Sequence, residues 1–393
     1  MNTQLNIGLF GYGVVGSGLY EVLQQSPTAN AAIRKICVRD LTKKRNLPPE
    51  IFCCNPAEIL DDPKINLVVE LIDDAKAAYR IVKSAMQKGK SVVSGNKKML
   101  AEHLPEFIEM QQQNGAGLLY DASACGSIPV IRNLEEYYDN DLLKSVTGIL
   151  NGSSNYILSR MFNDGLGYPE ALKMAQELGF AESNPSLDVE GLDALSKLVI
   201  ITVHAFGLFV QQDRIYRFGI SKINTADMQF AREKGRKIKL VAQVKKTDEG
   251  TLALSVIPRM VTPDKYIYNV EDEFNGVVIK GAFYDKQFMF GRGAGGHPTG
   301  SAVLSDITAR GYNYRYEYKK MKLKNGLRFS NESSVRIYLR YNDEVLLKHL
   351  DFETIEEKHE SRTFRYVIGQ ISLSRLLTAS RHLEANEVFL AEF

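Results

Sequence analysis

Short apolar runs and amphipathic stretches alternate along the first third of the chain. The apolar runs predict strands at residues 5–10, 32–40, 66–72, 91–95 and 117–123. After the third and fourth of these runs, apolar residues recur with the helical period, as in "AAYRIVKSAMQKG" and "LAEHLPEFIEMQQQ". Buried strands that alternate with helices are typical of a doubly wound parallel sheet, so we predict an N-terminal α/β domain over residues 1–130.

The pattern changes after residue 130, where helical stretches come first and strand-like stretches such as "KLVAQVKK" and "TLALSVIPRMV" follow. This order predicts an α+β domain with a mostly antiparallel sheet over residues 131–296. A glycine-rich loop then leads into a predicted helix over residues 297–318. We expect Thr299 or Ser301 to cap this helix and expect the helix to pack back onto the first domain.

Residues 320–393 differ again from the preceding domain. The stretches "SVRIYLRYN" and "TFRYVIGQISLS" have the pattern of strands, and "LSRLLTASRHLEAN" has that of a helix. We therefore predict a small C-terminal α+β module, which is a candidate regulatory module.

Charge and composition narrow the class of partner. The chain has 49 Lys and Arg against 47 Asp and Glu, a formal charge of +2, which gives no electrostatic reason to expect nucleic acid or an anionic membrane. No apolar run reaches the roughly 20 residues that span a bilayer. The four cysteines lack metal-ligand spacing. We expect reduced thiols and a cytoplasmic protein.

A glycine motif lies between the first predicted strand and the helix that follows it. Gly11, Gly13 and Gly16 form G-x-G-x-x-G, the arrangement by which a Rossmann domain binds a dinucleotide. The first glycine permits the tight turn, the second lets a pyrophosphate approach, and the third permits close packing of helix and strand. The helix N-terminus favours the negative charge of that pyrophosphate. The motif predicts binding of NAD or NADP.

The second predicted strand ends in both residues that distinguish these cofactors. An acidic residue here binds the ribose 2′-OH of NAD, whereas an arginine accommodates the 2′-phosphate of NADP. Arg39 and Asp40 are both present, with Lys43, Lys44 and Arg45 close behind. We favour NADP as the cofactor because Arg39 is present, and Asp40 leaves NAD as the alternative.

Four further stretches contain candidate chemistry. Lys97 follows the fourth predicted strand and Asp121 lies at the end of the fifth, at the sheet edge where such folds bind ligands. The turn "ILNGSSNYIL" (149–158) either binds a polar substrate or caps a helix, and spacing alone leaves both open. The stretch 178–197 gathers four carboxylates and then places Lys197 four residues after Asp193, on one helix face. It is either a solvated loop before a helix or a substrate site with a lysine acid.

Taken together, the ordered motifs resemble homoserine dehydrogenase. They are "GLFGYGVVGSGL", "VVELI", "VVSGNKKMLA", "DASACGSIPVI", "GILNGSSNYILSRM", "GFAESNPSLDVEGLDALSKLVI" and "GRGAGGHPTGSAVLSDI", and they cover residues 5 to about 312. The resemblance implies NAD(P)-dependent interconversion of L-homoserine and L-aspartate 4-semialdehyde, in threonine and methionine biosynthesis. It also implies that residues 131–296 bind substrate and mediate a homodimer or larger homo-oligomer.

Residue roles follow from the same resemblance. Lys197 matches the proton donor to the carbonyl oxygen, and Lys97 matches a second catalytic lysine close to nicotinamide and substrate. Glu182 and Asp193 match carboxylates that bind substrate, with Glu182 at the amino group. Asp188 has a supporting role in the same acidic segment.

The resemblance also implies a cofactor site and a cation site. The cofactor residues would be Gly11, Tyr12, Gly13, Val14, Val15, Gly16, Arg39, Ser94, Lys97 and Gly295. A monovalent cation such as Na⁺ would be bound at Asp121, Ala124, Gly126 and Ile128, and carbonyl oxygens of such residues suit a hard cation.

This sequence departs from the family pattern at several positions. Asp121 stands where the family has a glutamate, Asp73 and Asp74 replace a glycine pair, and Ser94 begins the motif that usually reads "TANK".

The C-terminal module occupies the place of an ACT regulatory domain without a convincing match, so feedback inhibition by threonine is a hypothesis. Two alternatives stay open: an oxidoreductase for another semialdehyde or hydroxy acid, and an NAD(P)-binding regulatory protein without turnover.

Overall fold

The computed structural model describes residues 4–323 and 326–393, which divide into two compact units. The first unit extends to Asp139 and resumes over Arg292–Lys319. The second comprises Asn140–Gly291 and Lys320–Phe393. Among the described residues, no helix has the length and apolarity needed to cross a bilayer.

The secondary structure elements follow in chain order. The strands are β1 (Leu5–Phe10), β2 (Ala31–Cys37), β3 (Phe52–Cys53), β4 (Leu67–Glu70), β5 (Ser91–Ser94), β6 (Leu118–Leu119), β7 (Leu143–Ile149), β8 (Tyr216–Arg217), β9 (Lys237–Lys246), β10 (Thr251–Val261), β11 (Phe274–Gly281), β12 (Lys286–Arg292), β13 (Arg328–Phe329), β14 (Ser334–Arg340), β15 (Thr354–Glu360), β16 (Arg365–Ser372) and β17 (Phe389–Glu392). The α-helices are α1 (Val14–Gln24), α2 (Ala57–Leu60), α3 (Ala75–Gln87), α4 (Lys97–Asn114), α5 (Ala122–Cys125), α6 (Val130–Glu136), α7 (Gly152–Asp164), α8 (Tyr168–Glu177), α9 (Ser186–Val189), α10 (Leu192–Phe206), α11 (Thr225–Glu233), α12 (Gly296–Gly311), α13 (Val345–Leu350) and α14 (Leu373–Ala385).

The first unit is built on a parallel sheet in the order β3-β2-β1-β4-β5-β6. Its central strands are almost wholly buried, which explains why they read as continuous apolar runs rather than alternating ones. This strand order is that of a Rossmann sheet, and the predicted doubly wound α/β fold is confirmed. The carboxyl ends of β1, β4 and β5 meet at one edge of the sheet.

Helices α1 and α12 pack closely because glycines line their contact. A Cβ on Gly18 would lie 2.3 Å from the carbonyl oxygen of Gly296, and one on Gly300 would lie 2.7 Å from the amide nitrogen of Leu19. Helix α12 begins after Gly295, whose φ of +124° favours glycine, so the predicted caps Thr299 and Ser301 are wrong. The helix ends at Gly311 and is therefore shorter than the predicted span 297–318.

The second unit contains a long mixed sheet in the order β12-β11-β7-β9-β10-β17-β14-β16-β15. Strands β7, β9, β10 and β11 pair antiparallel, and Ile149 at the end of β7 packs in an apolar cluster with Val241 of β9 and Val261 of β10. Helix α10 is buried from Asp193 to Phe206. Lys197 therefore lies in the interior of this unit.

The C-terminal residues have the chain order β14-α13-β15-β16-α14-β17, and their strands are ordered β17-β14-β16-β15. This is the βαββαβ arrangement of ferredoxin-like modules, so the predicted small α+β module is confirmed. Strand β17 also pairs in parallel with β10, which makes the module part of the long sheet. Arg340 of β14 forms a buried ion pair with Asp227 of α11 at 2.9 Å, and Tyr338 donates to the same carboxylate.

Candidate active site

The glycine motif forms the turn between β1 and α1, and its three glycines have different surroundings. Gly11 has a φ of +95°, and a Cβ there would lie 2.5 Å from the Leu71 carbonyl oxygen. A Cβ on Gly16 would lie 2.3 Å from the Gly11 carbonyl oxygen, whereas a Cβ on Gly13 would meet no atom within 4 Å. The chain itself therefore requires the first and third glycines. The space beside Gly13 at the N-terminus of α1 suits a pyrophosphate.

The side chains after β2 differ in what they bind. Asp40 accepts hydrogen bonds from the Thr42 hydroxyl at 2.6 Å and the Thr42 amide at 2.7 Å, and these lower the pKa of Asp40. Arg39 is exposed and makes no hydrogen bond to the described residues. Asp40 is thus engaged in a local turn, while the Arg39 guanidinium is available to a phosphate.

One of the two acidic residues that replace the family's glycine pair has a structural role. Asp74 caps α3, because its Oδ1 accepts from the amides of Lys76 and Ala77 at 3.0 Å each. These hydrogen bonds lower the pKa of Asp74. The carboxylate therefore stabilises the start of a helix.

A buried network that sequence reasoning missed lies at the ends of β4 and β5. Glu70 is fully buried and accepts from the Ser94 hydroxyl at 2.6 Å and from the Ile72 amide at 2.8 Å. Burial raises the pKa of Glu70 to about 7. The Ser94 oxygen in turn accepts from the Asn96 amide, and Asn96 caps α4, whose first residue is the half-buried Lys97. The predicted cofactor residue Ser94 therefore directs its hydroxyl into this network.

Asp121, the predicted side-chain ligand of the cation, contacts the start of α6. Its Oδ1 accepts from the amides of Ile131 at 2.8 Å and Arg132 at 3.1 Å, and its own amide donates to Asp306. Asp306 pairs with Arg132 at 2.5 Å, and burial together with the Asp121 charge raises the pKa of Asp306 to about 7. Within the described residues, no group of three His, Cys, Asp or Glu side chains is arranged to hold a metal.

The backbone oxygens proposed for the cation lie just after Asp121. Ala124 is in the short helix α5, Gly126 follows it with a φ of +55°, and the Ile128 carbonyl accepts from the Val130 amide at 2.8 Å. A Cβ on Gly126 would lie 2.4 Å from the Gly293 carbonyl oxygen, so only glycine fits there. Gly295, the late cofactor residue, lies two positions further along that loop and precedes α12.

The acidic stretch places a lysine between two acceptors in the second unit. The Nζ of Lys197 lies 2.7 Å from Oδ2 of Asp193, one helical turn earlier, and donates to the Leu150 carbonyl at 2.7 Å. Lys197 is 7% exposed and Asp193 is 8% exposed. An ammonium has three N–H donors, so these two contacts orient Lys197 and leave a third N–H for a substrate oxygen.

Asn151 joins the turn at 149–158 to this acidic stretch. Its Nδ2 donates to Oδ1 of Asp188 at 2.7 Å and to Oδ2 of Asp193 at 2.9 Å, while its Oδ1 accepts from the Ser154 amide at 2.8 Å. The turn therefore caps α7 and also contacts the candidate substrate residues. Glu182 is different: its side chain is exposed and makes no hydrogen bond or ion pair with the described residues.

Comparison with known proteins identifies the family to which the chain is similar. The model of the homoserine dehydrogenase NAD-binding domain matches residues 11–121, and that of the homoserine dehydrogenase domain matches residues 129–308. The homoserine dehydrogenase of Synechocystis sp. is 38% identical over 313 residues, which are 77% of this chain and 72% of that protein.

Solved structures extend the similarity. A homoserine dehydrogenase from Thiobacillus denitrificans superposes with a TM-score of 0.84 at 30% identity, over 99% of this chain and 97% of that one. A hyperthermophilic archaeal homoserine dehydrogenase in complex with NADPH has a TM-score of 0.69 at 26% identity, over 80% of this chain and 99% of that one. The chain therefore belongs to the homoserine dehydrogenase family of NAD(P)-binding oxidoreductases that act on a CH–OH group.

Proposed function

We propose that this chain carries out the homoserine dehydrogenase reaction with Lys197 as its general acid and base. When bound, the nicotinamide supplies the hydride to the aldehyde carbon of L-aspartate 4-semialdehyde, or accepts it from L-homoserine. Lys197 gives its proton to the carbonyl oxygen during reduction and removes the hydroxyl proton during oxidation. The observation that carries this proposal is the buried lysine held between Asp193 and the Leu150 carbonyl.

The neighbouring residues supply substrate binding and a second ammonium. Asp193 orients Lys197, and together with Asp188 it forms an anionic site for the amino group of the substrate. Glu182 is a further ligand of that amino group, contributed by the exposed loop before α9. Lys97, the first residue of α4, is the second catalytic lysine.

NADP is the proposed cofactor, with NAD as the alternative. Arg39 is available for the 2′-phosphate while Asp40 is engaged by Thr42, and the archaeal structure contains NADPH. Gly11 to Gly16, Ser94 and Gly295 complete the proposed cofactor site. Val14 is 73% exposed at the start of α1, where it is accessible to a ligand.

A monovalent cation such as Na⁺ is proposed at the backbone carbonyls of Ala124, Gly126 and Ile128. Asp121 supports this loop by binding the start of α6. Replacing Na⁺ with a bulky organic cation at constant ionic strength should lower turnover if the site is occupied. Unchanged turnover and thermal stability would remove the cation from the account.

The proposed organisation assigns cofactor binding to residues 1–130 and substrate binding and dimerisation to residues 131–296. A homodimer or larger assembly in the cytoplasm, serving threonine and methionine biosynthesis, is part of this proposal. Residues 320–393 are proposed to be regulatory, with threonine as the effector. Because β17 pairs with β10, the test adds threonine to the intact chain rather than to a truncated one.

The proposed reaction is tested by following the reduced-nicotinamide absorbance with a panel of substrates. We expect L-homoserine to reduce NADP at alkaline pH, and other hydroxy acids to give little signal. Preference for a different hydroxy acid would move the chain to another oxidoreductase activity. Binding of NADP without turnover of any substrate would indicate a regulatory protein.

A further inference from the structure

A single buried amide bridges two carboxylates of the candidate site. Asn151 is 5% exposed, and its Nδ2 contacts both Asp188 and Asp193, which lie 37 and 42 residues further along the chain. An amide nitrogen has two N–H donors, so both are used by these carboxylates. The same side chain caps α7 through its oxygen.

The hydrogen bonds determine the orientation of this amide. In the observed orientation, the oxygen accepts from the Ser154 amide and the nitrogen faces two acceptors. The opposite orientation would point an oxygen at two carboxylates and an NH₂ group at a backbone N–H, which are repulsive contacts. Asn151 is therefore suited to hold two negative charges near each other.

Two adjacent residues support Lys197, one directly and one through Asp193. The carbonyl of Leu150 accepts directly from Nζ, and the side chain of Asn151 binds the Asp193 oxygen that pairs with the same Nζ. Both residues follow β7, which is paired with β9 on one side and β11 on the other. The sheet thus provides a rigid support for the lysine.

The charges explain why a neutral donor is needed at this place. Asp188, Asp193 and Lys197 together carry one net negative charge, and the two carboxylates contact the same nitrogen. Without the N–H groups of Asn151, the two carboxylates would repel each other at short range. Asp193 would then turn, and the ammonium that it holds would move with it.

We propose that Asn151 is a positioning residue, which fixes Asp193 and through it the proton-donating ammonium of Lys197. The proposal rests on the proposed role of Lys197 and adds to it a residue that acts on this lysine through Asp193. The helix cap and the positioning role belong to different atoms of the same side chain. Substitution can therefore separate them.

The test uses two variants that keep the cap but lose the amide donors. Asn151→Ser retains a favourable N-cap oxygen, and Asn151→Asp does the same while adding a third carboxylate. We expect Asn151→Ser to lower kcat by about 10- to 100-fold, because misplacement of a catalytic group by about 1 Å has an effect of that size. Asn151→Asp should lower kcat further. Turnover within twofold of the wild type in Asn151→Ser would overturn the proposal.

A matched control separates positioning from loss of helix stability. Asn224 caps α11 through Oδ1, which accepts from the backbone amides of Ala226 and Asp227, and its side-chain Nδ2 makes no hydrogen bond to the described residues. Asn224→Ser should leave kcat within twofold of the wild type. An equal fall in both serine variants would assign the loss to capping and overturn the proposal.

A double substitution distinguishes failure of this inference from failure of the proposed function. If Asn151 acts through Lys197, adding Asn151→Ser to Lys197→Ala should lower kcat by less than a further twofold. A further loss as large as in the wild type would overturn the positioning role and leave the lysine assignment intact. Full turnover in Lys197→Ala alone would instead refute the acid role itself.

Discussion

Replacing Glu70 with glutamine tests whether the enzyme holds a buried carboxyl group at the edge of its cofactor sheet. The side chain is wholly buried and accepts hydrogen bonds from Ser94 and Ile72, so it is desolvated but not isolated. Glutamine has nearly the same shape and retains one oxygen. The substitution therefore removes the ionisation with little change in packing.

The expected effect has a definite sign and size. The pKa of Glu70 rises from 4.5 to about 7 on folding, so the folded state binds its proton more tightly than the unfolded state. The stability contributed by this proton is complete below pH 4.5 and is lost as the pH rises through 7. Between pH 5 and pH 8, the free energy of unfolding of the wild type should fall by about 2 to 3 kcal/mol relative to that of Glu70→Gln.

The assay is urea unfolding followed by circular dichroism at pH 5 and pH 8. Other titrating groups are common to both proteins, so the difference between them isolates Glu70. Glu50→Gln, an exposed site in the same unit, is the control and should show no such pH dependence. If the free energies of unfolding of the wild type and Glu70→Gln differ by the same amount at both pH values, a raised pKa at Glu70 is refuted.

Further predictions concern the proposed cofactor residues and the contact between α1 and α12. Arg39→Ala should weaken NADP binding by about 10- to 100-fold, as expected for loss of a charged hydrogen bond. NAD binding should change by less than twofold, and an equal effect on both cofactors would exclude a 2′-phosphate contact. Gly18→Val should destabilise the fold by about 1 to 3 kcal/mol, because its side chain would meet the Gly296 carbonyl. Gly13→Ala should instead leave the melting temperature nearly unchanged and weaken dinucleotide binding, since its Cβ faces open space. The reverse pattern in this pair of variants would contradict the assigned roles of the two glycines.

Most of the first unit was predictable because its signals are local. Gly11, Gly13 and Gly16 mark a turn whose steric requirements appear within six residues, and buried parallel strands appear as continuous apolar runs. The pairing of Asp193 with Lys197 was equally predictable, because residues four apart on a helix share a face. The start of helix α12 was harder to predict, since Gly295 rather than a serine or threonine precedes it.

What the sequence concealed depends on contacts between distant segments. Asn151 meets Asp193, and the Leu150 carbonyl meets Lys197, only because β7 and α10 come together in the folded unit. Glu70 was a single acid within an apolar run, and its partner Ser94 lies one strand away. The pairing of β17 with β10 was also hidden, because strand register between remote segments has no local signature.

The proton-transfer role of Lys197 is tested by comparing wild type and Lys197→Ala in the oxidation of L-homoserine by NADP. General acid–base catalysis contributes about 10²- to 10⁴-fold, so we expect turnover to fall by that factor. NADPH binding, followed by its own fluorescence in a chain without tryptophan, should be unchanged, as should the circular dichroism spectrum. Turnover within tenfold of the wild type in a folded, NADPH-binding variant would contradict the central claim that Lys197 transfers the proton.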